Sequence, residues 1–153
     1  MGAIAALSEP FGRRLQALGG GPGGRLALEP SPSSLAGVAP DDVEAHLTEL
    51  LERSRSRDIQ AAQTLSGPHR DDIWIGVDDH DLRRLGSQGE QRTAVLALLL
   101  ACRDHLAARA SIPIMLLDDV LSELDPARRR LLLDELTGHG QAWVTSADPD
   151  AAA

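Results

Sequence analysis

The run IPIMLL, from Ile112 to Leu117, is wholly uncharged and is closed abruptly by two adjacent carboxylates, Asp118 and Asp119. A short apolar run with no alternation predicts a strand covered on both faces, the setting of strands in parallel sheets. Parallel neighbours are joined by crossovers, so such a strand demands helices before and after it. The flanking sequence meets that demand. Ser87 opens a strong helical pattern whose expected inward face carries Val95, Leu96, Leu99, Leu100 and Leu106. Asp125-Pro126 starts another helix, with an N-cap residue followed by the imino acid favoured at the first helical position. Leu131, Leu132 and Leu136 are its expected inward residues, Gly138 its stop, and QAWVT (Gln141 to Thr145) the next strand. Helix, buried strand, helix, strand predicts an α/β fold with a parallel sheet.

The first part of the chain is different in kind. GGGPGG at Gly19 to Gly24 and EPSPSS at Glu29 to Ser34 predict turns, with GRLALE between them as a short strand. Asp41 to Leu65 predicts a helix on the spacing of Val43, Leu47, Leu50 and Leu51. Its Arg53, Arg55 and Arg57 point in different directions and read as a solvated face. IWIGV, Ile73 to Val77, alternates as a half-buried strand with a turn at DDH behind it.

Composition narrows what the chain can do. Aromatic residues make up only 2% of it, without a single Tyr, so base-stacking platforms are nearly excluded. The net charge of −8 argues against nucleic-acid binding through an overall basic field. The single cysteine, Cys102, leaves no disulfide framework or cysteine-rich metal site, and reads as a core thiol in a reducing cytosol. The N-terminus lacks the basic and apolar regions of a signal peptide, and the longest apolar run, Ala94 to Cys102, is too short to cross a bilayer. A cytoplasmic protein without a membrane partner is expected.

Two clusters carry candidate chemistry. Asp118 and Asp119 stand at the carboxyl end of the buried strand, where open α/β sheets bind ligands. Their side chains should point to opposite sides, so one could hold Mg²⁺ and the other orient or deprotonate a water. A charged loop tip is the plainer alternative. Ser87-Gln88-Gly89-Glu90 has the form of a capping box, which accounts for Ser87 and Glu90 without a ligand. Gly89 is not so explained, since Gly in a first turn costs about 1 kcal/mol against Ala. It permits close approach of an anion to the helix N-terminus. His69, in GPHRDD, and His80, in DDHD, read as turn residues.

Taken in order, SQGEQRTAVLALLLA, IPIMLLDDVLSELD and the upstream GPHRDD resemble the signature helix, Walker B strand and D-loop of an ABC-type ATPase. The form is that of the branch containing the SMC proteins, and within it of the RecF family. The resemblance implies the C-terminal part of an ABC ATPase head, a P-loop NTPase fold lacking its N-terminal lobe, at residues 65–153. Residues 1–64 would be part of a helical arm domain. It further implies Asp118 as the Mg²⁺ carboxylate and Asp119 as the acid polarising the hydrolytic water. Ser122 to Asp125 would be a D-loop, and Ser87 and Gly89 would contact the γ-phosphate of ATP held by a partner subunit. RecF-like proteins form ATP-dependent homodimers and act in replication, recombinational repair and the SOS response. They bind gapped or single-stranded/double-stranded DNA and work with RecR and RecO; these partners come from the resemblance alone.

The chain departs from the pattern at three points. It has no GxxxxGK[ST] loop and no Lys at all, so the main source of nucleotide affinity is missing. Thr145-Ser146-Ala147-Asp148 stands where a switch histidine is expected, and Asp119 replaces the Glu usual in transporters; both substitutions are similar to RecF sequences. The expectation is therefore a RecF C-terminal piece that does not hydrolyse ATP as this chain alone. Two other classes remain: a non-catalytic module that donates its signature helix to a full-length partner, and a carboxylate-based Mg²⁺ phosphatase with a nucleophilic Asp118 or Asp119.

Overall fold

The computed structural model of the chain describes residues 2–29 and 37–148, so most of the turn expected at Glu29 to Ser34 lies outside the described residues. The chain divides into two compact units, one of Ala27–Trp74 and the other of Gly2–Leu26 with Ile75 onward.

In the first unit, a 3₁₀ turn at Pro40–Asp42 leads into helix α2, Val43–Ala61. Val43, Leu47 and Leu50 are half-buried, whereas Arg53, Arg55 and Arg57 are exposed, as a solvated face requires. The helix was expected to reach Leu65 but ends four residues earlier. Ala62 turns left-handed at φ +52°, and its N–H caps the carbonyls of Asp58 and Ile59. The Asp58 carboxylate then accepts the Leu65 N–H at 3.1 Å, in place of a further helical turn. A 3₁₀ turn follows at Pro68–Arg70, where His69 is exposed and its Nε2 lies 3.2 Å from the Thr64 carbonyl. Strands β1 (Gly24–Glu29), β2 (Asp72–Val77) and β3 (His80–Asp81) form one sheet in that order; β1 and β2 each run across the unit boundary, and β3, which pairs antiparallel with β2, belongs to the second unit.

The second unit opens on helix α1, Gly2–Ala17, where the sequence pattern predicts no helix. Phe11, Leu15 and Leu18 recur at helical spacing and are all buried. The helix approaches β1 so closely that a Cβ at Gly12 would stand 2.6 Å from the Gly24 carbonyl oxygen. After the short helix α3, Leu82–Leu85, comes α4, Gln88–Ala107, on which α1 packs. The buried face of α4 corrects the expected one in part: Leu96 and Leu100 are inside as expected. Thr93, Ala94, Leu96, Ala97, Leu100, Ala101 and Arg103 are inside, while Val95 (53% exposed), Leu99 and Leu106 face outward. Ala94, Ala97 and Ala101 share the buried face with Leu96 and Leu100, and Val95, Leu99 and Leu106 lie outside it. Cys102 is half-buried, and burial pushes its thiol pKa up.

Strand β4, Met115–Leu117, and strand β5, Ala142–Val144, pair in parallel with Leu116 opposite Trp143. The expectation of a strand covered on both faces is corrected here too. Leu117 is buried, but Ile112, Ile114, Leu116 (77% exposed) and Trp143 (62% exposed) are open. Helix α5, Pro126–Leu136, buries Leu132 and Leu136, whereas Leu131 lies toward solvent. Gly138, at φ +79°, follows its end as expected. Among the described residues no helix is long and apolar enough to cross a membrane.

Candidate functional site

The carboxyl end of β4 is built by its neighbour. The parallel ladder continues one step past both strands: the Thr145 N–H donates to the Leu117 carbonyl at 3.0 Å, and the Asp119 N–H to the Thr145 carbonyl at 3.2 Å. At that step the chain turns sharply, with Asp119 in the left-handed region at φ +51°. Such a backbone is disfavoured for a residue with a Cβ and persists where surrounding contacts hold it. Those contacts are present. The Asp119 N–H also donates to Thr145 Oγ1 at 3.1 Å, Ser122 Oγ donates to the Asp119 carbonyl at 2.9 Å, and the Ala147 N–H reaches Asp119 Oδ1 at 3.4 Å. The Thr145 hydroxyl in turn donates to the Asp118 carboxylate. Asp118 and Asp119 are both exposed. Asp118, Asp119 and Ser122 thus form one cluster, with Thr145 joining the two acids and Ser122 bonded to the Asp119 carbonyl.

The loop from Val120 to Asp125 is anchored by the buried Leu121 and Leu124. Asp125 ends it as the N-cap of α5, accepting the Arg128 N–H at 3.0 Å. Ser87 caps α4 in a complete capping box: its Oγ accepts the Glu90 N–H at 3.3 Å, and the Glu90 carboxylate accepts the Ser87 N–H at 2.8 Å. The Ser87 side-chain and backbone bonds hold the Glu90 carboxyl below its usual pKa, with the Arg128 charge adding to them. Arg128 joins the two helix starts. Its guanidinium pairs with Asp125 at 3.4 Å, and a Cβ at Gly89 would lie 2.9 Å from its Nη1. The Arg128 guanidinium thus lies close beside the bare Cα of Gly89. Arg92 of α4 adds a second tie, to Glu123 at 2.9 Å. Between α4 and this loop lies an open groove of about 420 Å³, lined by Val95, Leu99, Val120 and Leu124 among others. Ser87, Gly89 and Asp125 thus form a second cluster. Arg128 was not among the residues expected, although its position one helical turn beyond Asp125 in DPARRR was the signal available.

The donor set fits some ligands and not others. No group of three or more His, Cys, Asp or Glu side chains among the described residues could enclose a metal ion. Two exposed carboxylates suit Mg²⁺, which keeps several waters and binds through one or two carboxylates plus phosphate oxygens. For a nucleotide, the chain offers the α4 N-terminus but no glycine-rich lysine loop.

No family model matches the chain. It is 46% identical over 101 residues to the DNA replication and repair protein RecF of Moorella thermoacetica, a match covering 65% of this chain and 27% of that one. RecF of Bacillus subtilis is 45% identical over 103 residues, covering 67% and 28%. RecF of Protochlamydia amoebophila is 33% identical over 126 residues, covering 81% and 35%. The chain thus spans about a third or less of the length of these curated relatives. The structure of the recombination mediator protein RecF-ATPrS in the RecFOR pathway superposes with a TM-score of 0.72 at 28% identity, covering 97% of this chain and 40% of that chain. An SMC head bound to the C-terminal winged-helix domain of ScpA superposes at 0.56 and 19% identity, covering 97% and 36%, and speaks for the fold alone.

Proposed function

Because the chain is a homologue of part of RecF, we propose that it is the C-terminal lobe of a RecF-like DNA replication and repair ATPase, with residues 65–153 carrying the ATPase elements and residues 1–64 belonging to the arm portion. One observation carries the reading: Asp119 leaves β4 in a left-handed turn clamped by Thr145 and Ser122, and the Thr145 hydroxyl also holds Asp118, so the two acids are held in defined positions.

In this reading Asp118 would hold Mg²⁺, which when bound neutralises charge on phosphate oxygens. Asp119 orients the attacking water and accepts its proton. Ser87 and Gly89 present the α4 N-terminus to the γ-phosphate of ATP on a second subunit, where backbone N–H groups favour an anion. The Asp125 end of the D-loop keeps that helix start in register through Arg128. ATP-dependent homodimerisation, action at gapped and single-stranded/double-stranded DNA, contacts with RecR and RecO, a part in the SOS response and a cytoplasmic location all belong to the proposal.

The open face of β4 and β5 supports a companion lobe, in the same polypeptide or a separate one, because parallel strands are ordinarily covered on both sides. It equally favours the second reading, a module that lends its signature helix to a full-length partner. The test is hydrolysis of MgATP by the purified chain, alone and mixed with a Walker A-bearing lobe of a RecF relative. No turnover is expected alone. Turnover is expected on mixing, and Ser87→Arg or Asp119→Asn should each remove it. Turnover by the isolated chain that survives Asp119→Asn would overturn the proposal.

A further inference from the structure

We propose that Thr145 is a positioning residue, whose hydroxyl sets the geometry of both acids at the end of β4; the inference rests on the reading of Asp118 and Asp119 given above. A threonine hydroxyl has one proton to donate and two lone pairs to accept with. Here the proton is committed to the Asp118 carboxylate, and a lone pair takes the Asp119 N–H at 3.1 Å. The rotor is thereby fixed from both sides. One Asp118 oxygen is engaged and the other is left to meet a cation. The Asp119 N–H is shared between Thr145 Oγ1 and the Thr145 carbonyl, 3.2 Å away, which holds the left-handed turn on its amino side as Ser122 holds it on its carbonyl side.

Burial does not require these bonds. Thr145, Asp118 and Asp119 are all exposed, so each polar group could be satisfied by water instead. Nor does β5 need a hydroxyl to pair with β4, since the ladder at this point uses the backbone N–H and carbonyl of residue 145. What the hydroxyl adds is a link between the two acids. It connects the metal-facing carboxylate to the backbone that carries the water-facing one. A valine of the same shape would keep the ladder and lose the link; a serine would keep both.

The experiment is NMR of the full 153-residue chain, labelled with ¹³C and ¹⁵N, as the parent, Thr145→Ser and Thr145→Val forms. In the valine form the Asp119 amide should exchange about two- to fivefold faster, the effect of losing one of the two acceptors that share it. The Asp118 carboxyl carbon should move to the signal of a solvated aspartate. The serine form should match the parent in both. Exchange at Met115, whose N–H donates to the Gln141 carbonyl at 2.9 Å, and the urea midpoint should stay unchanged throughout. The proposal is overturned if the valine form matches the parent, if serine behaves as valine does, or if Met115 loses protection together with Asp119. Mn²⁺, added alone as the metal probe, should broaden the Asp118 signal and be needed at several-fold higher concentration in the valine form only. If Mn²⁺ broadens Asp118 in none of the forms, the metal role of Asp118 fails, and the exchange and carbon signals still decide the role of Thr145.

Discussion

Asp104 ties α1 to α4 through two arginines, and its removal should weaken that attachment measurably. Its two carboxylate oxygens serve different arginines. Oδ2 accepts from Arg14 of α1 at 2.6 Å, and Oδ1 accepts from Arg103 at 3.0 and 3.2 Å. Arg14 also pairs with Glu135 of α5, and Arg103 donates to the Glu135 carbonyl at 3.3 Å. Arg103 is only 2% exposed, so Asp104→Ala leaves a buried guanidinium with one neutral acceptor. Breaking a fully buried ion pair from one side costs about 3–5 kcal/mol. The Asp104 side chain is itself 31% exposed, and water can reach the Arg14 end, so the expected loss is smaller, about 2–3 kcal/mol. Urea unfolding of the full chain at pH 7, followed by circular dichroism, should show it as a lower midpoint at unchanged slope. Adding Arg103→Met to Asp104→Ala should recover more than half of the loss, because no buried charge then remains. A loss below about 0.5 kcal/mol, or a double variant no better than Asp104→Ala, would refute the view that Arg103 depends on this carboxylate.

Leu132 is fully buried on α5, and Leu132→Ala should cost about 3 kcal/mol in the same urea assay. Ser87→Ala should cost about 1 kcal/mol through loss of the α4 cap, read as a midpoint shift at pH 7. The Glu90 carboxyl is held below its usual value of 4.5, chiefly by the Ser87 side chain, so its stabilising effect is present above that value and is lost as pH falls through the lowered one. Urea midpoints compared across that range should fall less in Glu90→Gln than in the parent. Gly89→Ala should displace only the flexible end of Arg128 and gain up to about 1 kcal/mol of helix stability. The same variant should lower hydrolysis in the mixed-lobe assay; full activity there would mean that Gly89 serves no ligand.

What the sequence discloses depends on whether the signal is local. The Ser87 cap, the Asp125-Pro126 start and the acids ending an apolar run are each written within a few residues, and each stands in the structure where it was expected. Helix α1 was not legible because Pro10 and Gly12 both argue against a helix, and packing of Phe11 and Leu15 prevails over that propensity. On α4 two apolar stripes compete and share Leu96 and Leu100; side-chain size draws the expected face toward Leu99 and Leu106, which stay out, whereas the smaller Ala94, Ala97 and Ala101 are inside. Thr145 was visible only as a residue standing in place of another, since nothing in its neighbourhood announces a bond to an acid 27 positions away.

The uncovered strand pair also makes the molecule its own optical gauge. Trp143 stands on the open face opposite Leu116, and the chain has one other tryptophan, Trp74, and no tyrosine. An indole passing from water to an apolar contact shifts its emission to the blue. With Trp74 changed to Phe, the fluorescence of Trp143 would report in real time whether anything closes over β4 and β5, without a label and two residues from the hydroxyl that ties the acids together.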